Sequence, residues 1–294
     1  MPIHTRSALS SDIPALHKIW AAAFGGGDVD DFFSFYFTPE LCITAENDGV
    51  PVAAGYLIPY GSLACSGATA PCAMIYAVAV LPVCRNRGFG TYVVRGLIEL
   101  GRSNGYPAIV LCPSDDSLFE YYSERSALRD WFYISERQLI ETGPVTERLI
   151  LTRISAEKYG RLRESLLQDT PHITVDRKAF EYQEILCGND GGGLYRAQTP
   201  VGDACALIER QSDGTIFMKE LLSPERYASP LISSVAAEFP APGYSVRVPA
   251  QSVGHDAVRR FGMLAAPDKI MDEIQVYAAD MRNSAAPWLG PAFD

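Results

Sequence analysis

The sequence predicts a mixed α/β protein, a central mixed sheet flanked by helices, built as two successive units. Three observations predict it. Short apolar strands alternate with amphipathic helical stretches along the chain. At 294 residues the chain exceeds the usual size of one domain. A turn-rich stretch, Thr142-Gly143-Pro144-Val145-Thr146, interrupts the pattern near the middle, after which a similar element order begins again. The expected units are residues 1–142 and 143–294, and a hydrophobic content of 48% supplies core for both.

In the first unit a short strand over 3–8 precedes Ser10-Ser11-Asp12, good helix caps, with Pro14 in the first helical turn. Ile13, Leu16, Trp20 and Ala23 recur at helical spacing until Gly25-Gly26-Gly27 ends the run. Asp28, Asp30 and Asp31 open a second helix, 28–36, where negative charge complements the helix dipole. Strands over 41–46 and 52–58 are joined by the turn signal Asn47-Asp48-Gly49. A strand over 73–81 ends at Pro82, and a helix over 88–103 sets Val93, Leu97 and Leu100 on one face. The apolar run 108–112 reads as a strand buried on both faces. A helix over 115–125 and a strand over 131–139 close the unit.

The second unit repeats this order in weakened form: strand 149–154, helices 156–167 and 177–186, a glycine loop at 189–193, then strands 194–198, 204–209 and 215–221. Helix 227–239, strand 244–248 and a short helix 256–261 complete the parallel. Its fourth strand runs into Ser223-Pro224-Glu225-Arg226-Tyr227, without glycine.

Composition excludes several function classes. Lys and Arg total 25 against 35 Asp and Glu, and no basic run exists to track a phosphate backbone, so no nucleic-acid partner is expected. The four histidines are scattered without ligand spacing, so no metal site is expected. The seven cysteines form no C-x-x-C pair and read as reduced small hydrophobes. With no apolar stretch of about 18 residues and no signal-like N-terminus, no membrane partner is expected, and the chain reads as cytoplasmic.

Chemistry concentrates between Met74 and Arg102. An apolar strand ends at Pro82, then comes Arg85-x-x-Gly88-x-Gly90, then an amphipathic helix. The glycines open backbone conformations closed to other residues and let a ligand approach closely. The loop and first-turn N–H groups converge on one point, helped by the helix dipole and by Arg85 and Arg87. A pyrophosphate suits such a pocket. A Walker loop is excluded because no Gly-Lys-Ser/Thr follows, and the dinucleotide fingerprint fails on spacing.

This segment resembles the acetyl-CoA signature of the GNAT superfamily, a strand ending Val-x-Pro followed by Arg/Gln-x-x-Gly-x-Gly/Ala. The element order of the first unit resembles the GNAT fold as well. The resemblance implies that acetyl-CoA is the co-substrate, that the backbone of Val78, Ala79 and Val80 pairs with the pantetheine arm, and that the Val80 amide lies near the thioester carbonyl. It implies that Arg85, Asn86, Arg87, Gly88, Phe89, Gly90 and Thr91 form the pyrophosphate loop. The family's downstream Asn-x-x-Ala-x-x-hydrophobic-Tyr helix is matched by the run Asp115 to Tyr122. Asp115 replaces the asparagine, and Ser126-Ala127 replaces the family's Gly-Phe. Tyr122 is the implied catalytic acid, with Tyr121 one position away as competitor and otherwise a core ring. The second unit, with Arg259-Arg260-Phe261-Gly262-Met263 but no phosphate loop, resembles the non-catalytic partner domain of tandem GNAT proteins, including the enhanced-intracellular-survival group.

The implied activity is N-acetyl transfer to a primary amine of a small molecule or peptide, by direct attack. The base stays open between Glu46, Asp28, Asp30, Asp31, an ordered water and, as in the enhanced-intracellular-survival group, a terminal carboxylate, here Asp294. Two other readings compete: a module that holds acyl-CoA without turnover, and an unrelated α/β protein with a purely structural glycine turn. Oligomeric state stays open, a homodimer being admissible.

Overall fold

The computed structural model describes residues 3–65, 67–140, 147–188, 191–250, 258–267, 270 and 286–293. They form two compact units, one of residues 1–62, 70–131 and 262–272, the other of 63–69, 132–261 and 273–294. No helix among the described residues is long and apolar enough to cross a membrane.

In the first unit β1 (His4–Ser7) leads into α1 (Ile13–Phe24) and α2 (Val29–Phe35). Then follow β2 (Cys42–Asn47), β3 (Val50–Cys65), β4 (Ala68–Val80), α3 (Phe89–Ser103), β5 (Ala108–Leu111) and α4 (Asp116–Arg125). The β2–β3 turn uses Asp48 at φ 54° and Gly49 at φ 77°, the positive-φ pair that a tight hairpin needs. β3 and β4 run beyond the expected 52–58 and 73–81. Pro59, Gly61 and Pro71 read locally as strand breakers, but neighbouring strands hold them extended.

The strands lie in the order β1-β2-β3-β4-β5, and α3 carries the chain across the sheet so that β5 is parallel to β4. The apolar face of α3, Phe89, Val93, Val94, Leu97 and Ile98, packs on Ile43, Leu57 and Ile109. Glycines set the closeness of this packing. A Cβ at Gly101 would lie 2.3 Å from Ile109 Cδ1, and one at Gly55 would lie 2.8 Å from Leu97 Cδ1. At the N-terminus Arg6 clamps β1 down: its guanidinium donates to Asp12 at 2.6 Å and 3.1 Å and its Nε to Glu46 at 2.7 Å.

In the second unit come β6 (Arg129–Leu139), β7 (Leu151–Arg153), α5 (Ala156–Leu167), β8 (His172–Val175), α6 (Arg177–Leu186) and β9 (Gly193–Thr199). They are followed by β10 (Gly202–Arg210), β11 (Ile216–Leu222), α7 (Ala228–Glu238) and β12 (Tyr244–Pro249). The sheet order is β6-β12-β11-β10-β9-β7, with β12 parallel to β11 across α7. A polar knot lies inside the unit. Buried Glu220 accepts from Arg163 Nε at 2.8 Å, Trp288 Nε1 at 2.6 Å and Tyr159 Oη at 2.9 Å. This anchors residues 286–293, whose Trp288 also donates its N–H to the Pro171 carbonyl.

The expected helix over 256–261 is a correction. From Val258 the chain is a strand, β13 (Val258–Ala265), and Met263, Leu264 and Ala265 pair antiparallel with Leu111, Val110 and Ile109 of β5. Covering the open edge of β5 outweighs any local helical preference. Each sheet is therefore completed from the other half of the sequence. β6, which follows α4, pairs with β12, while β13 pairs with β5.

Two outcomes follow from these buried ions. Glu220→Ala removes the fully buried partner of Arg163, leaving it only the half-buried Glu164 carboxylate at 3.2 Å, and should cost about 3–5 kcal/mol, read as a lowered urea midpoint of the second unit. The hydrogen bond from Arg6, aided by the Leu9 amide, holds the Asp12 carboxyl below its usual range despite burial. A depressed folded pKa means stabilisation that is present above the unfolded value and lost as pH falls through the folded one. Asp12→Asn should therefore lower the urea midpoint at pH 7, with the gap to the parent protein closing as pH falls below about 4.

Candidate functional site

β4 and β5 are parallel partners only over Cys72–Ile75 and Ala108–Leu111, because β5 is four residues long. β4 continues past that point. Ala77 stands at φ 47°, a strained conformation for a residue with a Cβ, and it kinks the strand just as the pairing ends. Val78 and Val80 are half-buried and Ala79 is buried. On the other side the strand stays anchored, with the Leu81 N–H donating to the Val52 carbonyl at 2.9 Å. The backbone of 76–80 thus faces β5's side without a β5 partner among the described residues.

A 3-10 turn, Pro82–Cys84, then drops buried Cys84 into the core. Arg85, Asn86, Arg87 and Gly88 are all exposed. Asn86 at φ 60° and Gly88 at φ 90° bracket Arg87 with left-handed turns. A Cβ at Gly88 would meet only Ile3 Cδ1, at 3.6 Å, so conformation rather than space calls for glycine there. Gly88 is the N-cap of α3 and supplies no side-chain cap, and the first backbone bond runs from Tyr92 N–H to the Gly88 carbonyl at 3.3 Å. The amides of Phe89, Gly90 and Thr91 therefore have no intrahelical acceptor. Phe89 is buried beneath them, while Gly90 and Thr91 are half-buried.

Both arginines are held by neutral groups. Arg85 Nε donates to the Val80 carbonyl at 3.3 Å. Arg87 donates to Asn47 Oδ1 at 2.9 Å and lies over the Phe89 ring at 5.3 Å. Neither bond cancels a charge, so the loop keeps two cationic groups beside an uncapped helix start. Asn47 escaped the sequence reading because it looked like a turn residue only, and nothing in the spacing links it to Arg87.

α4 starts at Asp115, whose carboxylate accepts from the Ser117 N–H at 2.9 Å. It stops at Ser126, which is extended and whose Oγ donates to the Tyr122 carbonyl at 2.6 Å. A side-chain cap thus does at Ser126 what glycine does in the family pattern. The two tyrosines separate clearly. Tyr122 is buried, and burial, then Tyr121 and Asp115, push its phenol pKa up. Its hydroxyl has no hydrogen-bond partner among the described residues. Tyr121 is half-buried, with Oη 2.8 Å from Thr91 Oγ1 in the first turn of α3. Tyr121 is thus more than the core ring expected from sequence.

The candidate bases differ in freedom. Glu46 is bonded to Arg6 and lies 3.4 Å from His4 Nδ1. Asp28 stands at the N-cap position of α2 without a side-chain capping bond, and Asp30, close to fully exposed, lies 3.8 Å from His17. Asp31 is exposed on the same turn. Asp294 lies outside the described residues.

Comparison with known proteins bears on the first unit's sequence and on the fold. Residues 4–125 match the family model of the acetyltransferase (GNAT) domain. The fold resembles a GCN5-related N-acetyltransferase from Kribbella flavida, at 17% identity over 90% of this chain and 70% of that one, with a TM-score of 0.64. It also resembles a GCN5-related N-acetyltransferase from Anabaena variabilis (14%, 90% and 72%, TM-score 0.65). Eis1 from Mycobacterium abscessus is a third likeness (14%, 90% and 73%, TM-score 0.60). No curated protein matches the chain by sequence. Over residues 4–125 the chain is thus similar in sequence to the GNAT acetyltransferase domain, and its fold resembles that of GCN5-related N-acetyltransferases.

Proposed function

We propose that the chain is a cytoplasmic N-acetyltransferase that moves an acetyl group from acetyl-CoA to a primary amine of a small molecule or peptide. The observation that carries this reading is the loop 85–90, two left-handed turns around Arg87 opening onto the uncapped start of α3. Its amides and the charges of Arg85 and Arg87 suit a diphosphate. Gly90 adds no side chain above them. The pantetheine arm then lies along Val78–Val80, where β4 has outrun β5 and main-chain groups remain for it.

The chemistry needs three groups. The amine must be neutral to attack, and an alkylamine near pKa 10.4 is almost wholly protonated at pH 7, so a base or ordered water takes its proton. Asp28, Asp30 and Asp31 remain candidates, whereas Glu46 is engaged by Arg6. The Val80 amide is the proposed donor to the carbonyl oxygen as negative charge develops. As the C–S bond breaks, Tyr122 gives its proton to the sulfur. With a reference pKa of about 10, the phenol carries its proton at neutral pH and has one to give.

The acceptor's body is read from the rings beside Tyr76, the residue before the kink. Trp20 lies 5.8 Å from Tyr76, Phe32 lies 5.4 Å from it, and Phe33 stacks on Phe37 at 4.6 Å. Several of these rings are only half-buried, and Asp30 and Asp31 are exposed on the same helix. This supports an amine that is cationic in solution and carried on a partly apolar frame. The second half is proposed to be a degenerate GNAT-like domain, residues 143–294 beside a catalytic 1–142. A module that holds acyl-CoA without turnover is the alternative, favoured by the missing loop of the second unit.

A panel of amines with acetyl-CoA, read as free thiol, separates these readings: transfer supports the enzyme, binding without transfer supports the module. CoA at 100 times its dissociation constant should stabilise the fold by about 2.7 kcal/mol, seen as a raised melting temperature, and no shift would overturn both. Tyr122→Phe should lower turnover by about 10²–10⁴ while leaving CoA affinity unchanged. Turnover within twofold of the parent enzyme would remove Tyr122 from the mechanism.

A further inference from the structure

Thr91 is the third residue of α3, so its side chain rises beside the three amides that lack intrahelical acceptors. Its hydroxyl does not act alone. Oγ1 lies 2.8 Å from Oη of Tyr121 on α4, thirty residues further along the chain.

The phenol is itself held on several sides. The Tyr122 ring meets it edge-on at 5.2 Å, and the Arg125 guanidinium lies over it at 4.8 Å. Arg125 is tied to α3 in turn, because its carbonyl accepts from Arg95 Nε at 2.6 Å. The hydroxyl also reaches within 3.4 Å of where a side chain at Gly90 would begin, with Val80 Cγ2 at 3.5 Å from the same point. A Cβ at Gly90 would thus lie at van der Waals contact with both the phenol and Val80.

A hydroxyl group has one proton to give and two lone pairs to receive. When the Tyr121 phenol donates to Thr91 Oγ1, the threonine proton is left to point away from α4, toward whatever the adjacent amides bind. We propose that Tyr121 is the positioning residue of the loop: it fixes the Thr91 rotamer so that the threonine hydroxyl donates to a diphosphate oxygen beside the α3 amides. This rests on the reading of 85–91 as the pyrophosphate loop. The role is separate from the one proposed for Tyr122, which is proton donation to the sulfur.

The test is calorimetric titration of the full chain with CoA. Tyr121→Phe should weaken CoA binding by about five- to tenfold, and Thr91→Val by a similar factor. The double variant should be no weaker than either single one, because both remove the same bond. Thr91→Ser, which keeps the hydroxyl, should bind like the parent. With any amine that the panel returns, Tyr121→Phe should raise the KM for acetyl-CoA and leave kcat within twofold, the reverse of Tyr122→Phe. CoA binding by Tyr121→Phe equal to the parent's overturns the proposal, as do losses that add in the double variant. A parent protein that binds no CoA overturns the loop reading itself, and this role with it.

Discussion

The parallel ladder between β4 and β5 stops after four residues, and the candidate site depends on that shortfall. A backbone carrying one donor and one acceptor per residue must find partners wherever water is excluded. β4 runs on beyond Ile75 with its β5 side unclaimed by that strand, and Ala77 turns to positive φ at the point of departure. Positive φ on alanine costs roughly 1 kcal/mol or more. It persists because β3 holds the far side, as the Leu81–Val52 bond shows, and because Ile75, Phe89 and Val93 are buried in one core. Strain of this kind is tolerated where the surroundings overdetermine the backbone.

Packing and charge meet at the first turn of α3. Phe89 drives the helix start into the core, while the residues before it stay in water. Orientation of the three free amides is thus fixed by an apolar anchor. Arg85 and Arg87 are parked on a carbonyl and an amide oxygen, so their charge is retained while their motion is restricted. A diphosphate would trade two modest neutral bonds for charge-assisted ones, which are about twice as strong. Tyr121 brings α4 to the same turn through Thr91, so three elements far apart in sequence converge on a few ångströms of loop.

Both units share a connection pattern: antiparallel strands, then a helix crossing to a parallel strand, then an antiparallel closing strand. β2, β3, β4, α3 and β5 stand to the first unit as β9, β10, β11, α7 and β12 stand to the second. The equivalent loop differs in chemistry. After β11 the chain passes through Pro224 into the 3-10 turn Glu225–Tyr227 and directly on into α7, with Glu225 beside Arg226, no glycine and no positive-φ residue. Such a turn gathers no nest of amides. The polar interior of the second unit serves cohesion instead, with Glu220 drawing α5, β11 and Trp288 together.

The sequence by itself determined the elements whose cause is local. Pro14 and the acids of α2 marked helix starts, the Asn47-Asp48-Gly49 turn fixed a hairpin, and Arg85-x-x-Gly88-x-Gly90 between an apolar strand and an amphipathic helix marked a glycine turn into an uncapped helix start. These depend on backbone conformation and on charge within a few residues, which a sequence displays directly. Tertiary structure decided what depends on partners distant along the chain. The run 258–265 became a strand because β5 offered an open edge, and β3 and β4 outran their prolines because neighbours held them extended. That the Tyr121 hydroxyl meets Thr91, and that Glu46 is spent on Arg6 while Arg87 rests on Asn47, rest on contacts between residues 30 to 40 positions apart. No period or spacing encodes such contacts, because their energy is realised only once the sheet has brought the ends together.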